Sequence, residues 1–107
     1  MATDSGIYNK ATISDGDETT VLNISRWKAA NRGRGATFFC RASLAGTLKI
    51  YFIDRDGVTA GNELKSETLA AGTLTAVDFD LAVPRYLVTF ERSGGGTGTC
   101  AGEVFDY

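Results

Sequence analysis

The amino-acid sequence predicts an all-β protein, an antiparallel sandwich of about eight strands with jelly-roll or Greek-key connections. In most segments apolar and polar residues alternate at a period of two, and no segment carries a sustained apolar stripe at helical spacing. Turn signals, among them Asp15-Gly16, Asp56-Gly57 and Gly94-Gly95-Gly96, recur at the short intervals that are typical of sandwiches. The length of 107 residues fits a single domain over residues 1–107.

Four strands are predicted in the first half of the chain. The first two cover residues 6–13 and 19–28, on either side of the Asp15-Gly16 turn. The third and fourth cover residues 37–44 and 47–53, and their even-numbered positions are apolar, which predicts that each strand buries one face only. These inward sets are Phe38, Cys40, Ala42 and Leu44 in the third strand, and Leu48, Ile50 and Phe52 in the fourth.

The second half of the chain completes the sandwich. Residues 62–71 are short and could form a helical turn, but Gly72 follows them and they are predicted as a strand. Alternating apolar positions predict a strand over residues 75–83, and strands are also expected at residues 85–92 and 99–106.

Composition excludes several classes of chemistry. The chain has no histidine, which removes the commonest general base and the imidazole metal ligand, and with them Ser-His-Asp and Cys-His catalysis and most zinc sites. A net charge of -2 argues against a nucleic-acid partner, although it allows a local basic face. No apolar run is long enough for a membrane span and no export signal is evident, so we expect a soluble, unprocessed protein without a membrane partner.

Charge is distributed unevenly along the chain. Residues 19–53 contain six lysines and arginines and no acidic residue, whereas the rest of the chain contains five lysines and arginines against thirteen acidic residues. Either the two groups interleave as ordinary cross-strand ion pairs, or they form a basic face that meets an acidic neighbour or an identical subunit.

Two segments supply the candidate binding and interface residues. The first joins the only tryptophan to four cations in residues 26–34, a combination suited to phosphate, glycan or protein contacts, although a lone tryptophan is more often a packing residue. The second is the aromatic C-terminal end, which could anchor a subunit contact or belong to the core. The candidates are Arg26, Trp27, Lys28, Arg32, Arg34, Phe105 and Tyr107.

Other chemistry-bearing groups favour structural roles. The acidic turns at residues 15–18 and 54–57 supply only part of a calcium shell, and we expect their aspartates to accept local backbone hydrogen bonds. Asp78 and Asp80 share an outward strand face, which a polar surface explains as well as acid–base chemistry does. Cys40 and Cys100 are expected to be buried and reduced. No catalytic residue, metal or cofactor is predicted.

Taken together, these features resemble the small structural proteins of tailed bacteriophage virions, of the capsid decoration or cement type or of a fibre-like type. The resemblance rests on Gly-Thr-Leu-Lys-Ile-Tyr-Phe-Ile-Asp at residues 46–54, Arg-Tyr-Leu-Val-Thr-Phe-Glu at 85–91, the glycine-rich loop at 94–98 and the aromatic end at 104–107. It implies a non-enzymatic β-sandwich, made in the host cytoplasm and located in the virion. Its partners would be the major capsid protein, identical subunits in a homo-oligomer such as a trimer, or both.

Two other functions are open at this point. A carbohydrate-binding module would use Trp27, Tyr51 or Tyr8 as a sugar platform, and it requires two or three exposed, coplanar aromatic residues on one face. A single-stranded nucleic-acid binder would use residues 26–41, and its affinity would fall steeply with salt.

Overall fold

The structure, a computed structural model, describes residues 7–25, 36–79 and 85–106. These residues form eight strands and no helix, arranged as two four-stranded antiparallel sheets, so the predicted fold class is confirmed. The strands are β1 (Ile7–Ile13), β2 (Thr19–Ser25), β3 (Ala36–Ala42), β4 (Gly46–Phe52), β5 (Glu63–Leu69), β6 (Thr75–Phe79), β7 (Arg85–Arg92) and β8 (Gly98–Asp106).

The order of the strands is that of a jelly roll. Sheet 1 has the order β1-β8-β3-β6, and sheet 2 has the order β2-β7-β4-β5. The chain passes from one sheet to the other at every connection between these strands except the one joining β4 to β5, which form a hairpin within sheet 2. Four nested antiparallel pairings, β1 with β8, β2 with β7, β3 with β6 and β4 with β5, distinguish a jelly roll from other eight-stranded sandwiches.

The weakest strand prediction, residues 62–71, is confirmed as the edge strand β5. Its ambiguous pattern has a physical cause: β5 pairs with β4 alone and buries only Leu69 fully. Its other positions carry the charges that often protect an exposed edge, at Glu63, Lys65 and Glu67.

The observed bounds differ from the predicted ones mainly at the strand ends. β3 ends at Ala42 rather than at residue 44, although the backbone N–H of Ser43 still donates to Thr99 O of the paired strand β8. Residues 26–28 and 80–83, which were predicted as the ends of the second and sixth strands, lie outside the described residues. In β2 the register shifts between Thr20 and Leu22, so that Val21 and Leu22 are both buried although they are consecutive.

One phenylalanine packs over a glycine in each sheet. Phe38 on β3 is fully buried and its ring lies over Gly102 of the adjacent strand β8, while Phe90 on β7 is fully buried over Gly46 of β4. Because these glycines have no Cβ, the ring of each phenylalanine can approach the backbone of the neighbouring strand closely. The two pairs form the centre of the core.

The two cysteines are buried and unbridged in the same core, as predicted from the sequence. They lie on neighbouring strands of sheet 1, where Cys40 is opposite Gly102 and Cys100 is opposite Ala42. Burial raises the pKa of the Cys40 thiol to about 12 and that of Cys100 to about 11. Both side chains are therefore packing residues with little thiolate character.

Candidate functional site: the outer face of sheet 1

Six of the seven candidate residues lie outside the part of the chain that the structure describes. The seventh, Phe105, lies on β8, where its backbone is opposite Thr37 of β3. The hypothesis that these residues form an interface therefore remains a prediction. The six are Arg26, Trp27, Lys28, Arg32, Arg34 and Tyr107.

The basic residues of the 19–53 segment that the structure describes do not share a face. Arg41 points outward from β3 in sheet 1, and Lys49 points outward from β4 in sheet 2. Consecutive strands of a jelly roll alternate between sheets, so charges that are neighbours in the sequence are separated to opposite sides of the sandwich. Arg41 and Lys49 therefore cannot contribute to one basic surface.

Of the four large apolar side chains that are exposed in the described residues, three lie on the outer face of sheet 1, and the fourth, Val58, lies in the connection between β4 and β5. Tyr8 on β1 is 61% exposed, Leu74 immediately before β6 is 57% exposed, and Phe39 on β3 is 36% exposed. In the register, Tyr8 is opposite Glu103 of β8, and Glu103 is opposite Phe39, so the three form a row across three strands. The two aromatic positions are thus about 10 Å apart, twice the spacing between strands.

Two cations belong to the next row of the same face. Lys10 on β1 and Arg41 on β3 lie on either side of Ala101 on β8. Both cations are exposed. We call the outward side chains of these two rows the assembly face: Tyr8, Lys10, Phe39, Arg41, Leu74 and Glu103.

A shallow groove of about 310 Å³ runs through the assembly face. Its floor is formed at Ala101 and Gly102, which are small, and its walls include Tyr8, Phe39 and Leu74. A groove with apolar walls and charges close by is the arrangement in which a partner's side chain can be inserted.

None of the residues of the assembly face is among the seven interface candidates from the sequence, and Tyr8 was considered only for a sugar platform. A signal for Phe39 was present in the sequence. In residues 37–44 the outward positions are otherwise polar, so a phenylalanine at position 39 departs from the alternation. An apolar residue on the polar side of a strand is a marker of a contact surface.

The predicted sugar platform cannot combine Tyr8 with Tyr51, because the two residues lie on different sheets. Tyr51 is also engaged: its hydroxyl donates to Oε1 of Glu18 over 2.7 Å. Burial, together with this hydrogen bond, raises the pKa of Tyr51 to about 12. Trp27, the third member of that platform, lies outside the described residues.

Glu18 fastens the β1–β2 connection to the outer face of sheet 2. Its Oε1 accepts a hydrogen bond from Thr89 Oγ1 at 2.6 Å as well as the one from Tyr51. These bonds, with a smaller contribution from Lys49, hold the pKa of the Glu18 carboxyl below its ordinary value. Because the charged carboxylate accepts both hydrogen bonds, the contact is formed at neutral pH.

The Glu18 contact predicts a pH dependence of stability. Since the pKa of Glu18 is lower in the folded than in the unfolded chain, its contribution is present above the unfolded pKa and is lost as the pH falls through the folded pKa. Replacing Thr89 by valine should lower the free energy of unfolding by about 1 kcal/mol at pH 7. The loss is small because Glu18 is exposed and its hydrogen bonds compete with water, and it should be smaller still in acid. Urea denaturation at pH 7 and at pH 3 measures this.

The matched control is Thr20→Val. Thr20 is opposite Thr89 on the neighbouring strand and makes no hydrogen bond to Glu18 within the described ranges. Replacing Thr20 should change the free energy of unfolding only slightly, and by the same amount at both pH values. If Thr89→Val and Thr20→Val gave equal losses at both pH values, Glu18 would have no part in stability.

Aspartates of the two acidic turns accept local backbone hydrogen bonds, as predicted. Asp54 Oδ1 accepts from the backbone N–H groups of Asp56 and Val58, at 2.9 Å in each case, and Asp15 Oδ1 accepts from Asp17 N at 3.0 Å. Within residues 7–25, 36–79 and 85–106, no three acidic or cysteine side chains come together in an arrangement that could hold a metal ion. The expectation of local backbone bonds is thereby confirmed.

Of the two aspartates considered for acid–base chemistry, only Asp78 lies in the described part of the chain. Its Oδ1 accepts a hydrogen bond of 2.6 Å from Thr37 Oγ1 on the paired strand β3. This is a cross-strand contact on the surface of sheet 1. Asp80 lies outside the described residues.

The described residues contain no helix that is long and apolar enough to span a membrane.

Comparison with known proteins identifies the architecture but no family. No protein-family model matches the chain, and no curated protein sequence matches it. Among solved structures, the chain is similar to the Yersinia pseudotuberculosis-derived mitogen, with 14% identity and a TM-score of 0.53 over 95% of this chain and 86% of that one. It is similar to PirA, with 14% identity and a TM-score of 0.54 over 100% of this chain and 97% of that one.

A third similar structure is Peruvianin-I, the cysteine peptidase from Thevetia peruviana latex, with 15% identity and a TM-score of 0.50. The match covers 95% of this chain but only 51% of the peptidase, so the chain spans about half of that protein. At these identities the similarities establish the β-sandwich architecture and nothing about activity.

Proposed function

We propose that the chain is a non-enzymatic structural protein of the kind that decorates a tailed-bacteriophage virion, and that it assembles through the assembly face. The observation that carries the proposal is the row Tyr8, Glu103 and Phe39 on an outer sheet surface, with Leu74 beside it. Exposed apolar side chains in one patch of a small domain mark a protein contact. The proposed location is the virion, after synthesis in the host cytoplasm.

The first partner proposed is a second copy of this chain. Charges of both signs are interleaved on the assembly face, with Glu103 in the aromatic row and Lys10 and Arg41 in the next row. A two-fold axis through such a face lets the carboxylate of each subunit approach the cations of the other subunit. Each contact then occurs twice, because both subunits use the same surface. The same operation directs exposed apolar side chains of each subunit toward the groove of the other.

Lattice binding is the second part of the proposal. A dimer that uses sheet 1 leaves sheet 2 and the loops at both ends of the sandwich for contacts with the major capsid protein. Repeated copies on a lattice gain affinity from contacts that are individually weak, because each bound subunit raises the effective concentration of the next contact.

The variant Leu74→Glu tests the assembly face. A carboxylate at this position would be desolvated against the partner's Phe39 and groove, so the dimer dissociation constant should rise about a hundredfold, to a mostly monomeric chain. Sedimentation velocity over a range of chain concentrations measures the change. Leu74 is 57% exposed, so the fold should be retained, which circular dichroism verifies.

Thr68→Glu is the matched control. It adds the same charge at an exposed position on sheet 2, on the opposite side of the sandwich. The control should dimerise as the unmodified chain does. Equal dissociation constants for Leu74→Glu, Thr68→Glu and the unmodified chain would remove sheet 1 from the interface.

A carbohydrate-binding module is the second candidate function, and one observation favours it. Tyr8 and Phe39 are both exposed on one face, two strands apart, with the carboxylate of Glu103 between them. Rings on either side of a carboxylate can stack on sugar rings, while the carboxylate accepts hydrogen bonds from the sugar hydroxyls. Titration with a neutral oligosaccharide such as cellotetraose, followed by calorimetry, should then give saturable binding that Tyr8→Ala abolishes. The assembly proposal expects no such binding.

A further inference from the structure

A second cavity, of about 350 Å³, lies on the side of the sandwich away from the assembly face. It is formed where β2 and β7 of sheet 2 meet the connection between β4 and β5. Apolar and polar groups share its lining, as in many small-ligand sites. The residues that matter are Ile53 and Leu87 on the apolar side and Asn23, Thr59 and Arg85 on the polar side.

The loop that closes this cavity is held by a dense set of hydrogen bonds. Asp54 Oδ1 accepts from two backbone N–H groups of the loop, and Asp54 N donates to Val58 O at 3.1 Å. Asn62 Nδ2 donates to Phe52 O and to Val58 O, at 3.2 Å each, and so ties both ends of the loop together. The wall that carries Thr59 is therefore preorganised, which lowers the entropic cost of binding a ligand.

Arg85 is positioned as a ligand-binding group. Its Nε donates to Ile53 O at 3.0 Å, and its guanidinium lies 5.8 Å from the centroid of the Phe52 ring. These contacts fix the plane of the guanidinium and use one of its five N–H donors. No carboxylate within the described residues forms an ion pair with Arg85. Its terminal nitrogens can therefore form the bidentate contact that a guanidinium makes with an oxyanion.

The groups around Arg85 define the chemistry of the ligand. Asn23 and Thr59 add an amide and a hydroxyl, and neither side chain is hydrogen-bonded within the described residues. One cation in a partly apolar cavity balances one negative charge. A phosphate monoester carries about 1.5 to 2 negative charges at pH 7, so part of its charge would be left uncompensated. A carboxylate carries one charge and matches the planar guanidinium.

We propose that this cavity binds a sugar acid, with its carboxylate on the terminal nitrogens of Arg85 and its hydroxyls on Asn23 and Thr59. Leu87 and Ile53 supply the apolar surface for the C–H face of the sugar ring. The site lies on sheet 2, so it is independent of the assembly face, and either proposal can fail without the other.

The test uses the full chain, labelled with nitrogen-15, and three probes at equal ionic strength: glucuronate, glucose and glucose 6-phosphate. Glucuronate should shift the backbone amide signals of residues 23, 59 and 85 in a saturable way, with a dissociation constant in the millimolar range, on the order of 1 mM. Glucose should bind at least tenfold more weakly, because it lacks the charge-assisted bonds, which alone favour the acid by about tenfold or more.

Three variants assign the contacts. Arg85→Gln should weaken glucuronate binding about tenfold or more, and Thr59→Val, which leaves the Arg85 contacts with Ile53 and Phe52 in place, should weaken it about threefold to tenfold. Arg55→Gln is the control, because Arg55 belongs to the same loop but does not line the cavity. The control should bind as the unmodified chain does.

Four results would overturn the proposal. They are an absence of saturable shifts with glucuronate at concentrations on the order of 10 mM, equal affinities for glucuronate and glucose, tighter binding of glucose 6-phosphate than of glucuronate, and unchanged affinity in Thr59→Val when that variant is folded.

Discussion

Replacing Phe38 by alanine is expected to lower the free energy of unfolding by about 3 to 5 kcal/mol, the cost of truncating a fully buried phenylalanine. The ring is 0% exposed and lies over Gly102 between the two sheets. A Cβ at Gly102 would be 2.5 Å from Cε1 of this ring, which shows how little space separates them. Removing the ring leaves a cavity beside Gly102, which has no side chain that could fill it.

Urea denaturation measures this loss, and Phe39→Ala is its control. Phe39 is the next residue of the same strand but points outward and is 36% exposed, so its replacement should cost about 1 kcal/mol or less in dilute solution. Equal losses for the two variants would contradict the inward and outward assignments along β3.

Adding a methyl group at Gly46 is expected to lower the free energy of unfolding almost as much as removing the Phe38 ring does. A Cβ there would lie 2.5 Å from Cζ of Phe90 and would also overlap the carbonyl oxygen of Glu91. Phe90 is fully buried, and Glu91 O belongs to the backbone of the paired strand β7, so neither can move away without separating β4 from β7. Gly46→Ala should therefore cost about 3 kcal/mol, the upper part of the range for overpacking.

Gly94→Ala is the matched control for this substitution. No atom lies within 4 Å of a Cβ built at Gly94. Its replacement should be neutral or should stabilise the chain by up to about 1 kcal/mol, through the lower entropy of the unfolded state. Thermal unfolding of the two variants side by side measures the difference. A Gly46→Ala protein as stable as Gly94→Ala would mean that β4 and β7 are not packed as described.

The strands could be predicted from the sequence because their signal is local. Alternation in β3, β4 and β7 reflects one buried and one solvated face, and the predicted residues 85–92 coincide with β7. The turn at Asp54 was predictable for the same reason, since a short acidic side chain satisfies N–H groups two and four residues ahead of it.

The sites could not be predicted because they depend on pairing between distant strands. Tyr8 and Glu103 come from opposite ends of the chain, and only the β1-β8-β3 order places them in a row with Phe39. In the same way, Arg85 meets Ile53 and Thr59 only because β4 and β7 are neighbours in sheet 2. The distribution of charge along the sequence does not show which cations share a surface for the complementary reason: strand alternation separates Arg41 from Lys49.

The central claim is that the chain works by assembling through one face of its sandwich, and the molar mass in solution tests it most directly. Light scattering of the unmodified chain should give twice 11.4 kDa at chain concentrations on the order of 100 µM, with a shift toward the monomer on dilution and at high salt. The salt effect is expected because the charges on the assembly face are exposed. A mass of 11.4 kDa at every concentration and in both salts would contradict the account.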